Sequence, residues 1–220
     1  IETNKFNKLI SDKTSNSKNI NLNLNSIRFK VNLKEISLFL ETFNPEIAYR
    51  GVSIPAQNIK VYIDFISLLK SDLKIKRISL ILNELDVAQL NKLSKILKPS
   101  NFKSLLNNKV KEGKLVSEIE IFLTESGELE NFIAKGSVKG LRASLFNQLS
   151  LTKLNFSFFA DKNDILIKNI FGNLDKIELS DGDIKLNLDN GVKLNSNFNS
   201  KLDLEEKFLR KYISFLNKLK

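Results

Sequence analysis

Apolar residues at every second position, sustained through most of the chain, constrain this protein more than any other property of its sequence. Between Asn19 and Leu33, Ile20, Leu22 and Leu24 fall on even positions, and Ile27, Phe29, Val31 and Leu33 on odd ones. Asn, Ser, Arg and Lys fill the places between. Side chains of a strand point alternately to its two faces, so the segment is a ribbon with one greasy side and one wet side. Read as a single strand it runs about 14 residues, roughly 45 Å at ~3.3 Å per residue, more than twice the usual length. The phase change at Asn25–Ser26 predicts a β-bulge, because one extra residue returns Ile27 to the face of Leu24 and bends the strand.

The pattern recurs. Ile36, Leu38 and Leu40 share a face in "EISLFLETF", as do Ile59, Val61, Ile63 and Phe65 in "NIKVYIDF". "LKIKRISLIL" slips phase at Lys76–Arg77, and "LSLTKLNFSFF" slips between Leu151 and Leu154. Gly136 and Gly140 mark a bulge or tight curvature in "FIAKGSVKGL". Turns are predicted at Asn44–Pro45, Arg50–Gly51 and "TESGE". In "DIKLNLDNGVKLNSNF", a three-residue loop (Asp189, Asn190, Gly191) sets Leu186 against Leu194, with Gly191 in the left-handed region. A two-residue Asn-Gly loop would mix the faces.

Apart from a single helical turn read at "SLLKSD" (67–72), helical spacing is confined to four places. Phe6, Leu9 and Ile10 predict a short helix within residues 2–14. Asp86 is placed to cap a helix carrying Val87, Leu90, Leu93 and Leu97, which Pro99 ends. A second piece aligns Phe102, Leu105, Leu106 and Val110, closed by Gly113. From Asp203 a basic amphipathic helix runs to the end, of a kind that packs on a sheet or lies on a membrane. The expected organisation is therefore an N-terminal helix and first β block (1–85), a helical segment (86–113), a second β block (114–203) and a closing helix (204–220). The fold class is mostly β with a few helices. Its long, curved, amphipathic antiparallel strands form a groove or an open sandwich.

Composition removes much of enzymology. There is no Cys and no His, which excludes disulfides, zinc sites of the usual ligands and Ser-His or Cys-His nucleophiles. "SDGD" (180–183) pairs Asp181 with Asp183 but lacks the ligands of a calcium loop and reads as a hairpin turn. Glu118, Glu120 and Asp164 have nothing to perturb them. "GSVKG" lacks the ending of a phosphate loop, and Tyr49, Tyr62 and Tyr212 read as amphipathic edge residues. No catalytic residue, metal ligand or cofactor is expected. The net charge of +10 is spread along strands, so it reads as a solvated face, and no nucleic-acid motif accompanies it. No apolar run is long enough to span a bilayer. A chain beginning at Ile1 without any Met is expected to be a piece of a longer one.

Three arrangements cover a greasy sheet: a second sheet, helices, or an apolar ligand in a groove. Exposing ~1,000 Å² would forgo about 25 kcal/mol at ~25 cal/mol per Å², so some cover is required. The order of features resembles the AsmA/TamB-like family of bacterial envelope proteins. "AYRGVSIPAQNIKVYIDFISLLKSDLKIKRISLIL" (48–82) carries most of the likeness, with its strand, its "SLL" turn (Ser67, Leu68, Leu69) and its "IKRISLIL" strand. Segments 136–158 and 172–188 are similar to later repeats of that family. The resemblance implies an inner-membrane anchor before Ile1, a periplasmic location, and a β-groove that conducts phospholipid toward the outer membrane, with envelope proteins as further partners. On this reading acyl chains contact Ile20, Leu22, Leu24, Ile27, Phe29, Val31, Ile184, Leu186 and Leu188. The rival reading is a sealed β-sandwich that binds a protein or glycan partner and carries no lipid.

Overall fold

The computed structural model describes residues 2–3, 20–23, 26–32, 37–64, 74–95, 101–144, 149–189, 191 and 193–201. Alternation produces strands almost everywhere it occurs. In chain order these are β1 (Glu2–Thr3), β2 (Ile20–Asn23), β3 (Ile27–Asn32), β4 (Ser37–Phe43), β5 (Glu46–Tyr49), β6 (Val52–Ile63), β7 (Ile75–Leu82) and β8 (Leu85–Asp86). Helices α1 (Val87–Ser94) and α2 (Asn101–Lys109) follow. The second series comprises β9 (Val110–Leu123), β10 (Leu129–Ser144), β11 (Ser150–Ala160), β12 (Asp164–Leu174), β13 (Ile177–Asn187) and β14 (Lys193–Lys201). All pairings between these strands are antiparallel, and they make one open sheet in the order β1-β3-β4-β6-β7-β9-β10-β11-β12-β13-β14. β2 pairs with β5, and β5 with the first half of β6. Since β7 pairs directly with β9, the two expected β blocks share a single sheet.

The long ribbon of residues 20–33 is divided. β2 pairs with β5 and β3 with β4, and residues 24–25 lie outside the described residues. Both halves keep a common register, Leu22 opposite Ile47 and Phe29 opposite Leu40. The phase therefore changes together in the neighbouring strand, at Asn44–Pro45, where Asn44 adopts φ 47°. The slip expected at Lys76–Arg77 is present: Arg77 lies opposite Tyr62 and Ile75 opposite Ile63, so Lys76 is the extra residue.

Four further bulges follow one another across β10 to β13. Their extra residues are Gly140, Lys153, Asn169 and Asp181, all in the left-handed region with φ of 62°, 53°, 54° and 54°. A bulge bends its strand and increases its twist, so a band of them curves the sheet as a whole. The side chains reinforce the band: Asn155 Oδ1 accepts from the Gly140 N–H at 3.0 Å, and Asp183 Oδ1 from the Asn169 N–H at 3.3 Å. "SDGD" is therefore a bulge within β13, not a hairpin turn.

The helical connection forms as the sequence predicts. Asp86 Oδ1 accepts from the Gln89 N–H at 2.7 Å, and Gln89 Oε1 from the Asp86 N–H at 2.9 Å, a capping box. Ser94 is buried, and its hydroxyl joins α1 to α2 by donating to Asn107 Oδ1 at 3.0 Å. Leu85, 1% exposed, anchors this junction to the sheet opposite Leu115. Gly113 does not close α2, because β9 begins at Val110 and Gly113 lies within it. Of the expected helix over 2–14, Glu2–Thr3 are instead paired as a strand with β3; the rest of that segment, and the helix from Asp203, lie outside the described residues. The hairpin after β13 takes the predicted register, Leu186 opposite Leu194, with Gly191 at φ 95°.

Candidate functional site

Antiparallel register fixes which side chains share a face. One rung runs through Thr42, Ile59, Leu80 and Ile119. It continues through Ala134, Ala160, Ile165, Leu186 and Leu194. The next rung reads Phe29, Leu40, Val61, Ile78, Ile121 and Phe132. On the other side of the first lie Ser117, Gly136, Phe158, Ile167, Ile184 and Ser196. No charged residue occurs on these rungs. From β3 to β14 the apolar face crosses nine inter-strand steps, about 43 Å at ~4.8 Å each.

Neighbouring residues supply the opposite face with its charges. There Glu41 pairs with Lys30 and, at 3.8 Å, with Lys60. Glu118 meets Lys135 at 3.0 Å, Glu120 meets Arg77 at 3.9 Å, and Asp164 meets Lys185 at 3.4 Å. Arg77 also stacks on Tyr62, 3.9 Å from the ring centroid, and Tyr62 packs on Phe39 at 5.2 Å. The carboxylates singled out in the sequence are thus structural ion pairs. Glu41 is the least exposed of these acids at 4%. Burial alone would raise its pKa, but hydrogen bonds from Lys30 and Asn58 and the charges of Lys30 and Lys60 outweigh that and hold the carboxyl below its ordinary range.

Among the described residues every strand belongs to the one sheet and packs chiefly on its ladder neighbours, and the helices pack chiefly on β6, β8 and β9 among the strands. The side chains of the apolar face are half-buried through the middle of the sheet, and become prominent at the margins, as at Val31 (63% exposed) and Leu194 (60%). Phe159 and Phe171, on the charged face of interior strands, stand 51% and 47% exposed. Glu41, Asn58 and Ser79 on the same charged face are 4%, 6% and 3% exposed, so burial varies across both faces. Phe158 leans over Gly136, where an added Cβ would come within 2.9 Å of the ring.

Ile27, Phe29, Val31, Ile184 and Leu186 stand on this apolar face, and register places Ile20 and Leu22 on the same side through Tyr49 and Ile47. Leu188 follows β13 and is exposed, and Leu24 lies outside the described residues. These predicted positions occupy the two flanks. The middle of the face, from Ile59 to Ala160, was equally apolar in sequence, but strand order is needed to recognise it as central. A separate hollow of about 550 Å³ lies beside the β5–β6 hairpin, lined among others by Asn23, Glu46, Ile54, Pro55 and Asn83. Asn23 Nδ2 donates to Glu46 Oε2 there at 3.0 Å. Among the described residues no group of three or more His, Cys, Asp or Glu is arranged to hold a metal, and no helix is long and apolar enough to cross a membrane. Compared with protein-family models, with curated proteins and with solved structures, the chain matches none.

Proposed function

We propose that this chain is a non-enzymatic lipid-binding protein whose apolar sheet face holds phospholipid acyl chains and conducts them, in the manner of the AsmA/TamB-like envelope proteins it resembles. The observation that carries the reading is the charge-free apolar face, about 43 Å long across nine inter-strand steps of a single sheet that takes in every described strand. Each CH₂ moved from water onto such a surface gains ~0.8 kcal/mol. Rungs of nearly uniform character give a chain similar energy at successive positions, so movement along the face needs no chemistry. Head groups stay at the polar margins. In this reading the protein works in the periplasm, tethered to the inner membrane, and serves transfer toward the outer membrane.

Photo-crosslinking in the cell tests it, with a photoreactive residue at Ile121 on the apolar face and, as control, at Phe122 on the charged face. Lipid adducts at position 121 but not at 122 are expected. Adducts at 121 to protein alone would mean that another polypeptide covers the face, and lipid conduction would be abandoned.

A further inference from the structure

Charge is distributed unevenly along the strand direction. Where β9, β10 and β11 approach the helical connection, Lys109, Lys111, Lys114, Lys139, Arg142 and Lys153 are all exposed. Two carboxylates answer them: Glu84 holds Lys114 at 2.6 Å, and Glu112 holds Arg142 at 3.2 Å. Lys109, Lys111, Lys139 and Lys153 have no carboxylate partner among the described residues. Register seats Lys139 directly opposite Lys114, a like-charge pair of the kind that costs a sheet stability. Lys92 and Lys95 are exposed on the adjoining α1 and its C-cap. At the far ends of the same strands the sign reverses, with Glu125, Glu128 and Glu130 at the β9–β10 turn and Asp161 at the β11–β12 turn.

We infer that this basic corner docks on the surface of a bilayer containing anionic phospholipid. The cations are spread over the end of α2 and three adjacent strands, the strands lying within about 10 Å across two inter-strand steps, a surface suited to many dispersed head-group charges. Val116 and Phe171 flank them on the same charged face, 41% and 47% exposed, and apolar side chains among lysines fit the boundary between head groups and acyl chains. The acidic far end turns the remainder of the molecule away from a negative plane. Single-stranded nucleic acid is the less suitable polyanion, because its binders stack successive bases on a series of aromatic side chains. Docking is independent of the apolar face, since register puts Lys114 and Lys139 on the opposite one.

Co-sedimentation with vesicles of phosphatidylcholine and phosphatidylglycerol in equal parts, against phosphatidylcholine alone, tests the inference on the full chain. Binding only to the anionic vesicles, weakened by added salt, is expected. Each cation near such a surface is worth roughly fivefold in partitioning. The combined Lys109→Gln, Lys111→Gln, Lys139→Gln and Lys153→Gln variant should therefore lose several-hundredfold. Lys162→Gln at the far end should bind as the native chain does. Equal binding to both vesicle types, undiminished binding by the fourfold variant, or tighter binding to single-stranded RNA at the same salt would each overturn the inference. Should the fourfold variant fail to fold, the native chain's salt dependence decides: binding that salt leaves unchanged refutes it.

Discussion

A carboxylate placed at Ile119 tests whether the apolar face works as a continuous surface. Ile119 lies between Leu80 and Ala134 on the central rung, with three strands of the main path before β7 reached from β3 and five after β9. A single leaflet's acyl chain, ~15 Å or half of a ~30 Å hydrocarbon core, crosses about three inter-strand steps of ~4.8 Å. A chain lying along this rung over β7, β9 and β10 must therefore pass position 119. An ionised Asp keeps its water, and if it denies contact to about four CH₂ groups the loss is ~3 kcal/mol, or roughly a hundredfold in affinity. The side chain is only half-buried in the lipid-free protein, so the fold should survive with a modest loss of stability. Lipid retained through purification, counted by native mass spectrometry, should fall to near zero in Ile119→Asp. In Glu118→Gln, which removes only the Lys135 ion pair of the charged face, it should be unchanged. A folded Ile119→Asp protein with its full lipid complement would refute the placement of acyl chains on this face.

Two predictions concern the scaffold. Because the carboxyl of Glu41 titrates below its ordinary value in the folded state, its contribution is complete above the unfolded pKa of ~4.3. That contribution is lost as pH falls from there through the folded pKa. Glu41→Gln should cost about 1–3 kcal/mol near neutrality, less than a fully buried pair because Lys30 and Lys60 are partly exposed. Urea titrations should show its deficit shrinking below pH ~4, and a constant deficit at all pH values would refute the assignment. At the β11 bulge, Lys153→Gly relieves a left-handed non-glycine residue (φ 53°) at the expense of chain entropy, for a net gain of up to ~0.5 kcal/mol. Lys153→Val should lose about 1–2 kcal/mol, since a β-branched residue tolerates that region poorly; urea midpoints for the pair in the reverse order would show that the bulge is not held there.

Local chemistry was legible in the sequence and long-range pairing was not. Asp86 announced a helix start, Lys76–Arg77 announced a bulge by breaking the alternation, and Gly191 fixed the final hairpin register, because each depends on residues close in the chain. The break between Leu151 and Leu154 likewise announced the bulge at Lys153, whereas Asp181 gave no comparable signal: it is not glycine, and only the surrounding ladders force it into the left-handed region. Nothing in "LFLETF" marks Glu41 as buried, since its partners Lys30, Asn58 and Lys60 come from the two flanking strands. For the candidate site, alternation distinguished the apolar side chains from the charged ones, whereas the order of strands decides which of them are central. The direct pairing of β7 with β9 across the helical connection makes one face of what the sequence divided into two blocks.

Curvature is the link between this sheet's stability and any use of its apolar face. A flat sheet with one wholly apolar side would offer far more than the few hundred Å² that a soluble protein usually exposes, and would be expected to pair with itself face to face. Bulges at Lys76, Gly140, Lys153, Asn169 and Asp181 instead bend successive strands, so that apolar side chains on interior strands crowd together and are half-covered by their neighbours. The same bend spreads Phe159 and Phe171 on the outside. Shelter of this kind reduces contact with water without filling the concave side. On the proposed function, with the apolar face as the concave one, what remains is a trough that exists without a second sheet and still gains free energy from any hydrocarbon that enters it. A sandwich would have needed facing rungs of matched shape. A trough needs only a guest that is apolar, flexible and narrow, which is the description of an acyl chain.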